Sequence, residues 1–316
     1  MLEKPKRLNV LPNNPEEIGE AQAVGPGRFP SWLHRRLPKG NILLQTDRIL
    51  SKNRLHTVCE EAKCPNLFEC WSHKTATFLV MGKECTRNCG FCDIDFNKTP
   101  KPLDLEEPIR VSHSVSELGL KHVVLTMVAR DDLEDGGSKH LVQVLHAIRN
   151  DNPQVTLEVL TSDFNGNKEA WLSIIEAQPQ IFNHNIETVL RLSPRVRHRA
   201  TYERTLTLLH FVANHPKRKN ILVKSGLMVG LGETEDEVFQ TLKDLKEHGC
   251  NIVTIGQYLQ PNQKKLLVKE FIPPEQFLKY EEFGYNLGFS YVYSGPFVRS
   301  SYNAGIIFEK THQAAN

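Results

Sequence analysis

From Thr75 onward the chain alternates between a short β-rich run and an amphipathic helical stretch, and it does so six times. Parallel strands need helical crossovers, so this rhythm commits the chain to a parallel sheet flanked by helices. The strand runs are Thr75–Met81, Lys121–Val128, Val155–Thr161, Ile181–Asn185, Ile221–Val229 and Ile252–Leu259. Ser138 opens a helix with Leu141, Val144, Leu145 and Ile148 on one face. Trp171, Ile174 and Ile175 mark a second, and Thr201–Asn214 makes a third. Thr234 with Glu237 is a capping box ahead of Val238, Leu242 and Leu245, and another helix starts near Pro273-Pro274. Six units are too few to close an eight-fold barrel. The expectation is an α/β chain folded as an open, partial (βα)6 TIM-like barrel, with its chemistry at the carboxyl ends of the strands.

Six of the seven cysteines lie between Cys59 and Cys92. Cys59, Cys64 and Cys70 are spaced C-x4-C-x5-C. Cys85, Cys89 and Cys92 are spaced C-x3-C-x2-C, in the loop after the first strand. Clustered thiols in a large chain without a secretory signal favour metal binding over disulfides. Structural zinc sites close their shell with four ligands. Two groups of three soft ligands suit iron–sulfur clusters better, each with one position left over. Other polar segments follow strands on the same rim: ARDDLEDGG (129–137), NIET (185–188) and GLGE (230–233). Arg191 and Arg197 could face a bound carboxylate, although lone arginines more often make structural ion pairs. Cys250 stands apart and reads as a buried structural thiol.

Hydrophobic residues at 40% and charged residues at 24% are ordinary for a globular chain. No apolar run reaches the roughly 18 residues a membrane span needs. The segment MLEKPKRLNVLPNNPEEIGEAQAV lacks the apolar centre of a signal peptide and carries acids that a transit peptide avoids, so the cytoplasm is the default location. A net charge of +2 gives no reason to expect nucleic acid. Residues 1–50, rich in Pro, Asn, Gly and charge, read as a partly ordered arm. Asp47–Lys63 contains a helix leading into the first triplet, and residues 290–305 have strand character before a Ser-rich turn.

The C-x3-C-x2-C loop after a first strand resembles that of the radical S-adenosylmethionine (SAM) enzymes. Their three thiolates hold a [4Fe–4S] cluster whose open iron is chelated by SAM. Taken in order, CEEAKCPNLFECW (59–71), TATFLVMGKECTRNCGFCD (75–93), PKPLD (100–104), RDDLEDGG (130–137), HNIETV (184–189), KSGLMVGLGET (224–234), TIGQYLQP (254–261) and GPFVRSSYNAG (295–305) resemble the lipoyl synthase family. The resemblance implies that Cys85, Cys89 and Cys92 hold the SAM-binding cluster, and that Asn185 and Glu187 contact SAM. It implies a second, auxiliary [4Fe–4S] cluster on Cys59, Cys64, Cys70 and Ser301. Spacing alone does not nominate Ser301, since a serine there is usually a turn residue.

The activity so implied is a sulfurtransferase of lipoate biosynthesis. An octanoyl group on a lysine of a lipoyl-carrier protein or domain receives two sulfur atoms, at carbons 6 and 8. Cys85, Cys89, Cys92 and Ser301 carry the catalysis, and the auxiliary cluster is the sulfur donor. Further partners implied are a reductant protein for electrons and an iron–sulfur carrier for cluster rebuilding, with no nucleic acid and no membrane. The same resemblance divides the chain into an arm (1–50), an auxiliary-cluster extension (51–74), the radical SAM partial barrel (75–288) and a C-terminal tail (289–316) whose RSSY motif closes the barrel mouth. Departures from the family pattern fall at Met127, Ala129, Lys265 and Leu267; the family has His and Pro at the last two. None removes a cluster ligand. A resemblance to biotin synthase is opposed by the first triplet and the RSSY tail. A simple electron carrier would offer four cysteines per cluster and need no barrel.

Overall fold

The strand runs are rich in Val, Ile, Leu and Phe at consecutive positions, as a sheet covered on both faces requires. The computed structural model describes residues 29–34, 49–50, 52–53, 55–61, 64, 66, 77–302 and 304–305. Its strands are β1 (His56–Thr57), β2 (Thr77–Val80), β3 (Glu84–Cys85), β4 (Asp95–Phe96), β5 (His122–Met127), β6 (Thr156–Leu160), β7 (Ile181–Asn183), β8 (Leu222–Val229), β9 (Ile252–Gln257) and β10 (Tyr291–Gly295). The main sheet runs β1-β2-β5-β6-β7-β8-β9-β10. From β2 onward every neighbour is parallel, while β1 is antiparallel to β2. Among the described residues the sheet is open, with β1 and β10 as its edges. This is the partial barrel that the six repeats call for.

The helices are α1 (Val58–Glu61), α2 (Glu107–Leu118), α3 (Ser138–Asp151), α4 (Lys168–Glu176), α5 (Ser193–Val196), α6 (Tyr202–Asn214), α7 (Glu235–Glu247) and α8 (Pro274–Asn286). The buried stripe of α3 is Leu141, Val144, Leu145 and Ile148, as its spacing dictates. Both halves of the Thr234–Glu237 capping box are made at the start of α7. Helix α2 supplies the crossover from β2 to β5. Pro108 stands in its first turn, and Gly119, at φ 64°, ends it in the left-handed conformation.

Two findings add to the sequence expectation. The tail is part of the sheet: β10 pairs with β9 from Tyr291↔Ile252 to Gly295↔Gly256, a seventh parallel strand. The chain then turns back so closely that a Cβ on Gly256 would collide with the Val298 carbonyl. On the other side, the helix expected within Asp47–Lys63 is preceded by β1, and the short α1 follows it directly. Cys59 lies on α1, whereas Cys70 and most of the arm lie outside the described residues. Asn66, buried just after Cys64, donates from Nδ2 to the Phe297 carbonyl at 2.8 Å. Extension and tail therefore meet.

The sheet also carries charge in its interior. Lys224 of β8 and Glu158 of β6 are fully buried and paired at 2.8 Å. Asn183 donates to the same carboxylate at 2.9 Å, and His122 lies 3.5 Å from its other oxygen. Burial opposes the ionised form of Glu158, but Lys224 and His122 outweigh it and hold the carboxyl below its usual range. Among the described residues, no helix is long and apolar enough to cross a membrane.

Candidate active site

The C-x3-C-x2-C loop leaves the carboxyl end of β2 through a strained corner. Met81 is buried at φ 69°, a left-handed conformation that a side-chain-bearing residue adopts at a cost of roughly 1–3 kcal/mol. Glu107 of α2 holds it there: its carboxylate accepts from the Met81 amide at 2.9 Å and bonds His140 of α3 at 2.7 Å. Past the corner, β3 and β4 pair Cys85 with Phe96 in a small parallel ladder of their own.

The loop is then fastened to the rim from three directions. Thr86 donates through its amide and hydroxyl to the Ala129 carbonyl, at 3.0 and 2.9 Å, and its hydroxyl accepts from the Asp131 amide. Arg87, buried between two cysteines of the motif, makes a bidentate pair with Asp131 at 2.8 and 2.7 Å. It reaches Asp163, after β6, at 2.7 Å. Gly90 donates to the Val196 carbonyl and accepts from the Leu266 amide, both at 2.9 Å. A Cβ on Gly90 would stand 2.8 Å from the Leu266 side chain, so any larger residue there would have to displace Leu266.

Arg87 keeps its charge despite burial because Asp131 and Asp163 hold its guanidinium above its ordinary range. Burial likewise opposes ionised Asp163, yet Arg87 keeps that carboxyl below the usual value. Removing one partner of a buried pair strands the other, at about 3–5 kcal/mol. Arg87→Leu is therefore expected to lower the unfolding free energy of the cluster-free protein by about that much, read from urea denaturation. A loss under about 1 kcal/mol would mean that this network does not anchor the loop.

Cys85, Cys89 and Cys92 are free, half-buried thiols. They are close enough to perturb one another electrostatically. Burial pushes Cys89 up to about 11, reinforced by Cys85 and opposed by Arg197 and Arg87. Burial pushes Cys92 up to about 12, with Cys89 and Cys85 adding to it. Three crowded thiols that resist ionisation alone are a donor set that a cationic iron centre would compensate. Among the described residues, no three His, Cys, Asp or Glu side chains converge as they would around a single metal ion.

Facing Cys89 is the end of β7. Glu187 is half-buried in a left-handed conformation, φ 68°, clamped by its amide on the Gly226 carbonyl and its carbonyl on the Met228 amide, both at 2.9 Å. Burial raises its carboxyl, and Arg197 acts against that. Arg197 is itself buried; it donates to the Asn185 carbonyl and, at 2.9 Å, to His184 Nε2. His184 donates from Nδ1 to the Thr161 carbonyl, and burial beside Arg197 holds it neutral, down to about 3. Asn185 donates from Nδ2 to Glu187 at 3.1 Å and to Ser300 at 2.7 Å, while its Oδ1 is buried without a protein partner. A carboxylate, an orphaned amide oxygen and a guanidinium beside the thiols fit an amino-acid-like ligand with hydroxyl groups.

Of the residues singled out from sequence, the structure gathers Cys85, Cys89, Cys92, Asn185 and Glu187, and puts Ser300, next to Ser301, in contact with Asn185. Cys64 and Ser301 are described and half-buried, and Cys59 sits on α1. The two arginines separate. Arg191 makes an exposed ion pair with Glu237, whereas Arg197 belongs to the site. Arg87 and Asp163 escaped the sequence reading as anchors, whereas Asp131 belongs to the acidic segment placed on the rim. The signal for Arg87 was a long cation confined inside a three-cysteine motif.

The chain matches the radical SAM superfamily over residues 79–257. Crystal structures of methylornithine synthase (TM-score 0.52, 14% identity, 71% of this chain and 72% of that one) and of Streptococcus suis SuiB (0.53, 12%, 72% and 52%) share its fold. The chain is thus a radical SAM enzyme, a class that implies SAM and a [4Fe–4S] cluster. A lipoyl synthase of Protochlamydia amoebophila is 66% identical over 98% of this chain and 96% of its own length. One of Chlamydia trachomatis serovar D is 52% identical over 91% and 92%. Within the superfamily, the chain belongs to the lipoyl synthase family.

Proposed function

We propose that the chain carries out the reaction its relatives are named for, inserting two sulfur atoms at carbons 6 and 8 of an octanoyl group held on a lysine of a lipoyl-carrier protein. The observation that carries this reading is the 66% identity sustained over 98% of the chain. Cys85, Cys89 and Cys92 would hold one [4Fe–4S] cluster, and Cys59, Cys64, Cys70 and Ser301 a second. When bound, the first supplies the electron that cleaves SAM to a radical and the second supplies sulfur. The protein's own tasks are to bind, orient and exclude. Asn185 offers its unpaired Oδ1 to a donor such as a ribose hydroxyl or an ammonium group, and Glu187 offers a carboxylate to the same ligand. Arg197 keeps Asn185 and His184 fixed while it faces Glu187.

Unactivated C–H bonds do not yield to acid–base chemistry at neutral pH, which makes a water-excluding rim around a radical source the arrangement the task requires. On this reading residues 51–74 and 289–316 form the second site around the barrel of 75–288, and the arm is 1–50. The partners are an octanoylated carrier, a reductant protein and an iron–sulfur carrier, all in the cytoplasm.

The test is to incubate anaerobically reconstituted protein with an octanoylated lysine peptide, SAM and dithionite, and to weigh the product. Two added sulfurs per peptide and about eight irons per chain are expected. SAM cleavage without any gain of sulfur would sink the sulfur-insertion reading. Bound zinc without acid-labile sulfide would sink the cluster assignment with it.

A further inference from the structure

The segment after β9 folds down onto the cysteine loop at the point where the sequence leaves the family pattern. Lys265, which replaces the family's histidine, is half-buried, and its Nζ lies 3.1 Å from Asn88 Oδ1 and 3.5 Å from the Cys89 carbonyl. Its own amide is tied back to the Asn262 carbonyl at 3.2 Å, and Asn262 also bonds Asp93, next to Cys92. Leu266 follows on Gly90. Lys264, one residue earlier, is exposed. One ammonium is thus fixed against the motif at its second cysteine, on Asn88 and the Cys89 carbonyl.

We propose that Lys265 is a positioning residue whose fixed positive charge favours the reduced state of the cluster that the loop holds. This rests on the assignment of that cluster to Cys85, Cys89 and Cys92. Reduction brings one electron from an external reductant, with no bond made or broken. The added negative charge is stabilised by a nearby cation more than by a neutral group. Lys265 adds its charge from the outer side of the loop, while Arg197 and the Asp131- and Asp163-paired Arg87 act on Cys89 from the barrel side. A histidine at this place would be largely neutral at pH 7, whereas a lysine brings an ammonium.

The experiment is an EPR-monitored redox titration of reconstituted holoprotein with dithionite, following the cluster signal that SAM perturbs. The wild type is compared with Lys265→Met, Lys265→Gln, Lys265→Arg and Lys264→Met. Lower midpoint potentials are expected in Lys265→Met and Lys265→Gln, with the wild-type value kept by Lys265→Arg and by Lys264→Met. If Lys265→Met fails to load iron, Lys265→Gln, polar but uncharged, decides the matter. An unshifted potential in Lys265→Gln, or an equal shift in Lys264→Met, overturns the proposal alone. A wild type that loads iron but shows no SAM-perturbed signal overturns the cluster assignment, and the proposal with it.

Discussion

Cys89→Ala is expected to stop deoxyadenosine formation from SAM altogether while leaving the barrel folded. The loop's conformation does not rest on that thiol. It rests on Thr86 against Ala129 and Asp131, on Arg87 against two carboxylates, and on Gly90 between Val196 and Leu266. Removing one half-buried sulfur from such a frame costs about 1 kcal/mol, near the centre of the range for point substitutions. The chemical cost is total, because two thiolates cannot do the work of three at a cube that must keep its fourth iron open. The decisive measurement pairs chromatographic detection of deoxyadenosine with a urea unfolding midpoint. Retained deoxyadenosine would contradict the ligand assignment, and Arg87→Leu offers the converse case, in which stability falls first.

Sheet architecture was legible because parallel strands buried on both faces write themselves as apolar runs, and Val80, Val159, Val223 and Ile255 are all fully buried. The cysteine spacing was legible for a similar reason: ligands on one short loop are constrained by local geometry. What stayed hidden depends on pairing across distance. Nothing near Arg87 announces Asp163, which joins it only because β2 and β6 end on the same rim. Lys224 and Glu158 sit in strand runs as unexplained charges until the sheet brings them to 2.8 Å. Helix α2 was unsignalled because its buried face includes Glu107, Ser112 and Ser114. The strain at Met81 and Glu187 left no trace, since neither is glycine or asparagine, the residues that mark such backbone. The tail's strand was visible in Tyr291–Gly295, but its docking on Gly256 was not.

Ser301→Ala is expected to leave SAM cleavage near the wild-type rate and to abolish sulfur insertion. The physical case is the path of the tail. After β10 the Val298 amide turns back to the Gly295 carbonyl at 3.0 Å, and the Phe297 carbonyl receives Asn66. Ser300 accepts from Asn185, and Tyr302 is tied to the Arg299 carbonyl at 2.9 Å with its ring stacked on Tyr293 at 6.1 Å. Ser301 is held between these fixed neighbours. Asn66 follows Cys64 so closely that the tail and this cysteine share one neighbourhood. A serine oxygen is a harder donor than thiolate for iron, so a site using it has a weakest corner, which suits a cluster that must give up sulfur. Ser300→Ala separates the two serines. It removes one hydrogen bond from Asn185, worth about 1 kcal/mol, and should weaken SAM binding by about fivefold while sulfur insertion persists at saturating SAM. Normal lipoyl product from Ser301→Ala would remove Ser301 from the ligand set, and loss of sulfur insertion in Ser300→Ala alone would transfer the role to its neighbour.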